Sequence, residues 1–438
     1  MNTQMPPQAP SLPSGNGIRP AAAAGFTLRQ AQMIMLWLLV FSGWYVLMEP
    51  APYEILFVLT FIIFLPGGLA ASVFIAPLII FLALYNVGGA FSVAQLGHMS
   101  PTLTRRVSLF FYVSIYLAVT AVFFAMATIR HPEDVAKVVR NAWIISGVVG
   151  AIAGLMGYFD IAGTNEIFAK WQVRVKGGFK DPNVYSVWLV PPAVFLLQDL
   201  MLGVARHKLA RLFSLLLILG AIFLSFSRGA WIVTIGSFAL LGILTFITTN
   251  QPRLRRRIIF FAFYAVVAGA VVIMILLSFP SAKAEFADRF TLFKDYDSGE
   301  TGRFGRQLRS LPLLVLRPNG FGPSVFATIF GEDPHNVYIN AFSAYGWLGG
   351  ISYLLLIIST LLVGLRGILV PSPWRWHFLA FFVPLFMMIL QGIQIDTDHW
   401  RHFYLLLGMV WGLFAASENW LRQQQAHNMP AANAQARA

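Results

Sequence analysis

The run Gly331-Glu332-Asp333-Pro334-His335-Asn336 sets an imidazole beside carboxylates and an amide. Asp333 followed by Pro334 reads as a helix start: a capping carboxylate, then a residue whose missing N–H is no loss in the first turn. His335 and Asn336 then fall in that first turn, where free N–H groups attract an anion. The same positive end disfavours imidazolium, so His335 is expected to stay neutral and able to accept a proton. The plainer reading is an interfacial histidine held by a loop carbonyl. Asn336, Asn340 and Ser343 continue as a polar stripe, and Gly346, Gly349 and Gly350 would let helices approach closely.

Cations supply the second kind of chemistry. Asp181-Pro182-Asn183 repeats the helix-start device directly after Lys170, Arg174, Lys176 and Lys180. Two capped helix starts with nearby cations make a cradle for a diphosphate. Arg228 lies between the apolar blocks Leu212 to Phe226 and Ala230 to Thr249. An arginine at the bilayer centre costs about 2.5–3.5 kcal/mol on insertion scales, and such residues face a cavity or a partner. A snorkelling arginine in a tight turn is the alternative. Thr301 to Arg309 reads as a short basic amphipathic helix with Arg303, Arg306 and Gln307 on one face, suited to anionic lipid or to phosphate. Pro318 to Pro323 reads as a turn. Asp396, Asp398, His399, Arg401 and His402 gather before the last apolar block, as an ion-pair network rather than a metal site, with a role at the mouth of the site as the other reading.

The elements that must position these groups are helices. The 438 residues are 58% hydrophobic and 11% charged, with mean hydropathy +0.70, whereas soluble domains carry roughly a quarter charged residues. Apolar blocks such as Ile258 to Phe279 approach the ~20 residues that cross a bilayer, and the shorter alternating segments of a β-barrel are not seen. The expected fold is all-α, a polytopic integral membrane protein of about 12 transmembrane helices. The spans read near 32–48, 53–67, 69–87, 107–128, 142–159, 183–201, 209–226, 229–249, 258–279, 346–365, 377–395 and 402–418. Residues 1–30 read as a disordered cytoplasmic tail, 31–279 as the first nine helices, 280–345 as one long outer loop, 346–418 as the last three helices and 419–438 as a second tail. With both termini cytoplasmic, the inner loops hold Arg130/Lys137/Arg140, Arg206/Lys208/Arg211, Arg253 to Arg257 and Arg366/Arg375, in keeping with the positive-inside rule. The net charge of +13 therefore points to anionic lipid rather than nucleic acid. No cysteine is present, which excludes disulfides, thiolate metal sites and haem attachment.

Taken together, these residues resemble the O-antigen ligase and polymerase superfamily. Its ligases carry a His followed by Asn, Ser or Gln, nine variable residues, a Gly and a small residue four further on. Here that pattern reads His335, Asn336, Val337 to Tyr345, Gly346 and Gly350. A second family element pairs an outer Arg with Leu four residues later, and Arg228 meets Ile232 at that spacing. An Arg and a Pro/Gly-rich segment ahead of the His correspond to Arg303 and Pro318 to Gly322. The resemblance implies a metal-independent, cofactor-free inverting glycosyltransferase of the bacterial inner membrane with its long loop in the periplasm. Its donor would be an undecaprenyl-diphosphate-linked glycan, and its acceptor a hydroxyl on a sugar or lipid such as lipid A–core. It implies His335, Arg228 and Arg303 in catalysis, and Asn336, Arg174, Lys176, Tyr338 and Arg306 in holding substrate. A polymerase of O-antigen or exopolysaccharide repeats would need the same donor chemistry. A non-enzymatic transporter of anionic lipid or polysaccharide would want charges within several spans, and most spans are clean.

Overall fold

The computed structural model describes residues 26–435, apart from 98, 172, 205 and all of 281–301 except 283 and 299. Met1 to Gly25, read above as a disordered tail, lies outside the described residues. Each of the twelve apolar segments falls on a helix. The first eleven helices are α1 (Leu28–Ser42), α2 (Pro52–Phe64), α3 (Ala76–Ala94), α4 (Pro101–Arg130), α5 (Pro132–Tyr158), the single turn α6 (Asn165–Phe168), α7 (Pro182–Trp188), α8 (Val190–Leu202), α9 (Lys208–Leu224), α10 (Arg228–Thr248) and α11 (Pro252–Leu277). After the gap come α12 (Arg303–Val315), the short α13 (Phe326–Phe330), α14 (Val337–Leu369), α15 (Arg375–Gln391) and α16 (Arg401–Gln435). A two-residue antiparallel pair, β1 (Ala169–Lys170) with β2 (Arg174–Val175), decorates the loop after α6.

Among the described residues seven helices are long and apolar enough to cross a membrane, α7 and α8 counting together as one, and α1, α2 and α15 are shorter apolar helices. Their outer faces are apolar: Ile235, Val266 and Leu362 are 70%, 74% and 61% exposed. Exposed greasy surface on this scale is what lipid covers. The helices start where local chemistry directs. Thr27 and Gln30 form a capping box at α1, Ser100 caps α4 ahead of Pro101, and Ser227 caps α10. Two boundaries differ from the sequence reading. The break at Pro66-Gly67-Gly68 extends to Ser72, so the third apolar helix begins near Val73 instead of 69. The C-terminal stretch read as a tail is helical to Gln435, because α16 meets no glycine after Gly412.

Long-range bonds sort into two ends. At one, Arg29 of α1 pairs with Asp134 of α5, and Arg140 of α5 with Asp199 of α8 at 2.6 Å. There Gln198 of α8 donates to Trp376 O of α15 at 2.8 Å, and Arg366 of α14 pairs with Glu418 of α16. At the other, Val46 N donates to Gly178 O at 2.7 Å, Arg401 of α16 pairs with Glu54 of α2, and the α14 start meets the α15 end. Cations that the charge rule groups as inner thus share an end, opposite His335. α16 is the axis: from Phe403 to Ala415 its apolar side chains are almost wholly buried. Gly408 and Gly412 press it onto α4, where a Cβ on Gly412 would come within 2.7 Å of Ala125 O.

Candidate active site

The helix carrying the histidine motif starts later than the sequence suggests. α14 begins at Val337, and its cap is Asn336, whose Oδ1 accepts from Tyr338 N at 3.0 Å and Ile339 N at 3.2 Å. Asp333 and Pro334 lie in the preceding loop, so His335 stands just ahead of the helix, not inside its first turn. An asparagine amide satisfying two orphan donors outcompetes the Asp-Pro pair upstream. His335 has φ of 47°, a left-handed conformation that costs a non-glycine residue on the order of 1–2 kcal/mol. Bonds on both sides hold it there. Gln307 of α12 donates to Pro334 O at 2.8 Å, and Asn336 N donates to Asp396 Oδ1 at 3.0 Å. By contrast, the second helix start is as read: Asp181 caps α7 and accepts from Asn183 N at 2.8 Å.

Electrostatics around His335 are asymmetric. Its pKa is lowered, first by burial and then by the Arg303 charge, with Asp333 and Glu332 opposing. The α14 dipole is not needed to keep the imidazole neutral; desolvation and a guanidinium suffice. Arg306, one turn along α12 from Arg303, pairs with Glu332, and Gln307 holds the Pro334 carbonyl, so the expected shared face exists. Arg303 itself is half-buried.

Behind His335 stands the loop from Gly392 to Trp400, whose role is larger than its composition suggests. Gly392 O accepts Val337 N at 2.8 Å, Asp396 accepts Asn336 N, and Asp398 Oδ2 accepts Asn340 Nδ2 at 2.9 Å. Burial, then the neighbouring Asp398 carboxylate, pushes the Asp396 carboxyl up to about 7. The two aspartates, read on sequence as part of an ion-pair network, therefore fix the motif helix by its Asn336 and Asn340. Their signal was visible, two acids four and two residues ahead of a tryptophan in a chain with 18 acidic residues in all. Only folding reveals that this loop caps α14. Among the described residues no three His, Asp or Glu side chains group as a metal would need.

Gly346 and the Pro318 turn explain the rest of the motif. α14 breaks at Gly346, with φ of 66° and ψ of −170°, a conformation open to glycine. The freed backbone groups are satisfied by the turn: Ser343 O accepts from Phe321 N at 2.8 Å and Gly322 N at 3.1 Å, and Trp347 N donates to Pro318 O at 2.7 Å. A Cβ at 346 would also sit 2.6 Å from Pro318 O. Gly350 clears the Phe342 ring, and Gly349 lies against Gly88 of α3. The expected helix-to-helix approach thus holds for Gly349, while Gly346 serves as a break.

The other candidates fall in the same end of the bundle by different routes. Arg228 opens α10, and a Cβ on its neighbour Gly229 would lie 2.8 Å from Gln391 Nε2, next to the Gly392 that receives Val337. Arg174 is buried and bonds Ser225 O at 2.9 Å and Asn183 Oδ1 at 3.1 Å, bracing the turn that precedes Arg228. Lys176 is half-buried near Lys170, and Tyr338 donates its hydroxyl to Ile389 O at 2.7 Å. His335, Asn336, Arg303 and Arg306 form one group; Arg228 adjoins it through the 391–392 turn, and Arg174 and Lys176 lie one step further out. Against known proteins, the family model described as O-antigen ligase matches residues 213–354. That stretch holds Arg228, Arg303, His335, Gly346 and Gly350. No curated protein matches the chain.

Proposed function

We propose that the chain, whose residues 213–354 match the O-antigen ligase family model, is a membrane enzyme of ligase or polymerase type that transfers a glycan from undecaprenyl diphosphate to an acceptor hydroxyl outside the inner membrane. The observation that carries the reading is His335, kept neutral by burial and by Arg303 at the mouth of a capped helix. His335 accepts the proton of the acceptor hydroxyl as its oxygen attacks the anomeric carbon. The bond from that carbon to the diphosphate oxygen breaks, the configuration inverts, and undecaprenyl diphosphate departs with the electron pair. Arg303 and Arg228 stabilise the charge gathering on the diphosphate. Asn336 orients the motif, while Arg306, Arg174, Lys176 and Tyr338 are proposed to shape the donor site. No metal or cofactor enters the scheme. In this reading the end of the bundle that carries His335 faces the periplasm, and the seven long apolar helices found among the described residues cross the inner membrane.

Purified protein given undecaprenyl-diphosphate glycan and candidate acceptors, with and without chelator, tests the scheme. His335→Ala should lower transfer by at least 100-fold, in the ~10²–10⁴ range of general base catalysis, while insertion persists; unchanged product would remove the catalytic assignment. Glycan profiles of cells lacking the enzyme separate ligase from polymerase. A lost ligase leaves lipid-linked polymer, which is the expected result, and a lost polymerase leaves single repeat units.

A further inference from the structure

A cavity of ≈ 300 Å³ opens beside the 392–400 loop, between the α1–α2 turn, α4, α5, the α7 start and the α16 start. Its volume is at the lower end for small-molecule sites, roughly 300–1,000 Å³. Aromatic side chains dominate the wall, including Tyr53, Trp143, Trp188 and Trp400. The charged groups of the wall are paired: Arg401 with Glu54, Lys180 with Glu49 at 2.7 Å, and Asp181 with Lys170 beyond the wall at 3.0 Å. Four lining side chains keep a buried polar atom without a hydrogen-bond partner: Tyr53 Oη, Tyr116 Oη, Trp400 Nε1 and His402 Nε2. Tyr53, Trp400 and His402 are each less than 5% exposed, and Tyr116 is half-buried. Buried polar atoms are paired in the great majority of cases, and exceptions call for a ligand, water or strain.

We propose that this cavity is a saccharide subsite, holding a neutral sugar unit of a substrate glycan at the same end of the bundle as His335. The inference rests on the glycan-transfer reading and adds to it where the sugar sits. A diphosphate would meet cations already neutralised by carboxylates. A bare isoprenoid chain would leave these polar atoms unpaired. A pyranose meets both demands, its hydroxyls pairing with phenol, indole and imidazole and its C–H face lying on the aromatic rings. The subsite is coupled to the motif helix through one carboxylate: Asp398 contacts His399 Nδ1 of the cavity wall at 3.3 Å and Asn340 of α14 at 2.9 Å.

Tryptophan emission reads occupancy directly, because Trp143, Trp188 and Trp400 line the space. Full-length protein in lipid nanodiscs, free of sugar-based detergent, is titrated with glucose, galactose, rhamnose, N-acetylglucosamine and lactose. At least one sugar should give a saturable change, and Tyr53→Phe, which keeps the ring and loses the hydroxyl, and Trp400→Phe, which stays aromatic and loses the indole N–H, should each weaken it about three- to ten-fold with the melting temperature held. No saturable change with any sugar overturns the subsite. Equal affinity in both variants, or a response to undecaprenyl phosphate but not to sugars, overturns it too. His335→Ala is run alongside. Sugar binding kept and transfer lost is the expected pair; sugar binding absent with transfer lost in that variant removes the subsite alone. Transfer retained in His335→Ala removes the catalytic reading and leaves the subsite standing.

Discussion

At the scale of single residues, two titrating groups set testable pH behaviour. The His335 pKa is lowered below 6.5 by burial and Arg303, so activity that needs neutral imidazole should persist on the acid side of that value. Removing the guanidinium in Arg303→Gln should move the acid limb of kcat/KM upward, toward 6.5, besides lowering the rate. A limb that stays in place would show that Arg303 does not act on the imidazole. Asp396 titrates the other way. Its carboxyl is raised from 3.8 to about 7, so the folded protein holds a proton that the unfolded chain has released across that window. Its stabilising contribution is therefore full below 3.8 and lost as pH rises through about 7. The melting temperature of Asp396→Asn should lack that decline, and an identical slope in both proteins would refute the assignment. His335 and its partner residues in the motif were legible because imidazole, amide and glycines recur at fixed spacing. What the aspartates at 396 and 398 bond was not, since they lie some sixty residues away and act on backbone and amide groups of the motif.

At the scale of elements, hydropathy located every apolar helix but misjudged where the motif helix begins and why Gly346 is there. An Asp-Pro pair is a local signal, and Asn336 won because tertiary contacts with the 392–400 loop hold its backbone extended. The Gly346 break is invisible in composition, because it depends on a turn that arrives from residues 318–322 to take the released Ser343 carbonyl. Gly346→Ala would force a side chain into the left-handed region and against Pro318 O, costing on the order of 1–3 kcal/mol. We expect folded protein with transfer reduced at least ten-fold, read by the same reconstituted assay. Full activity in that variant would mean the break is incidental.

At the scale of the whole molecule, charge asymmetry in the sequence anticipated which helix ends lie together, and the ion pairs Arg29–Asp134, Arg140–Asp199 and Arg366–Glu418 collect at the end opposite His335. Hydropathy could not supply the order in depth. That α16 is the central helix follows from glycines at 408 and 412 meeting α4, a spacing that reads as ordinary until the partner is known. The absence of cysteine makes sidedness measurable without background. Phe304→Cys on α12 should react with a membrane-impermeant maleimide in intact spheroplasts, and Leu209→Cys at the other end should react only after lysis; both are exposed at 49% and 83%. The reverse pattern would put His335 in the cytosol and end the glycan-transfer reading.

The interruption at Gly346 divides α14 into two mechanical parts. Residues 337–345 are fastened to the 318–322 turn and the 392–400 loop, whereas the longer half presents Ile351, Leu355, Ile358 and Leu362 outward. When the surrounding bilayer thins or thickens, the longer half can tilt to match it about the glycine. The imidazole lies on the far side of that hinge, where Gln307 and Asp396 hold the backbone on either side of it.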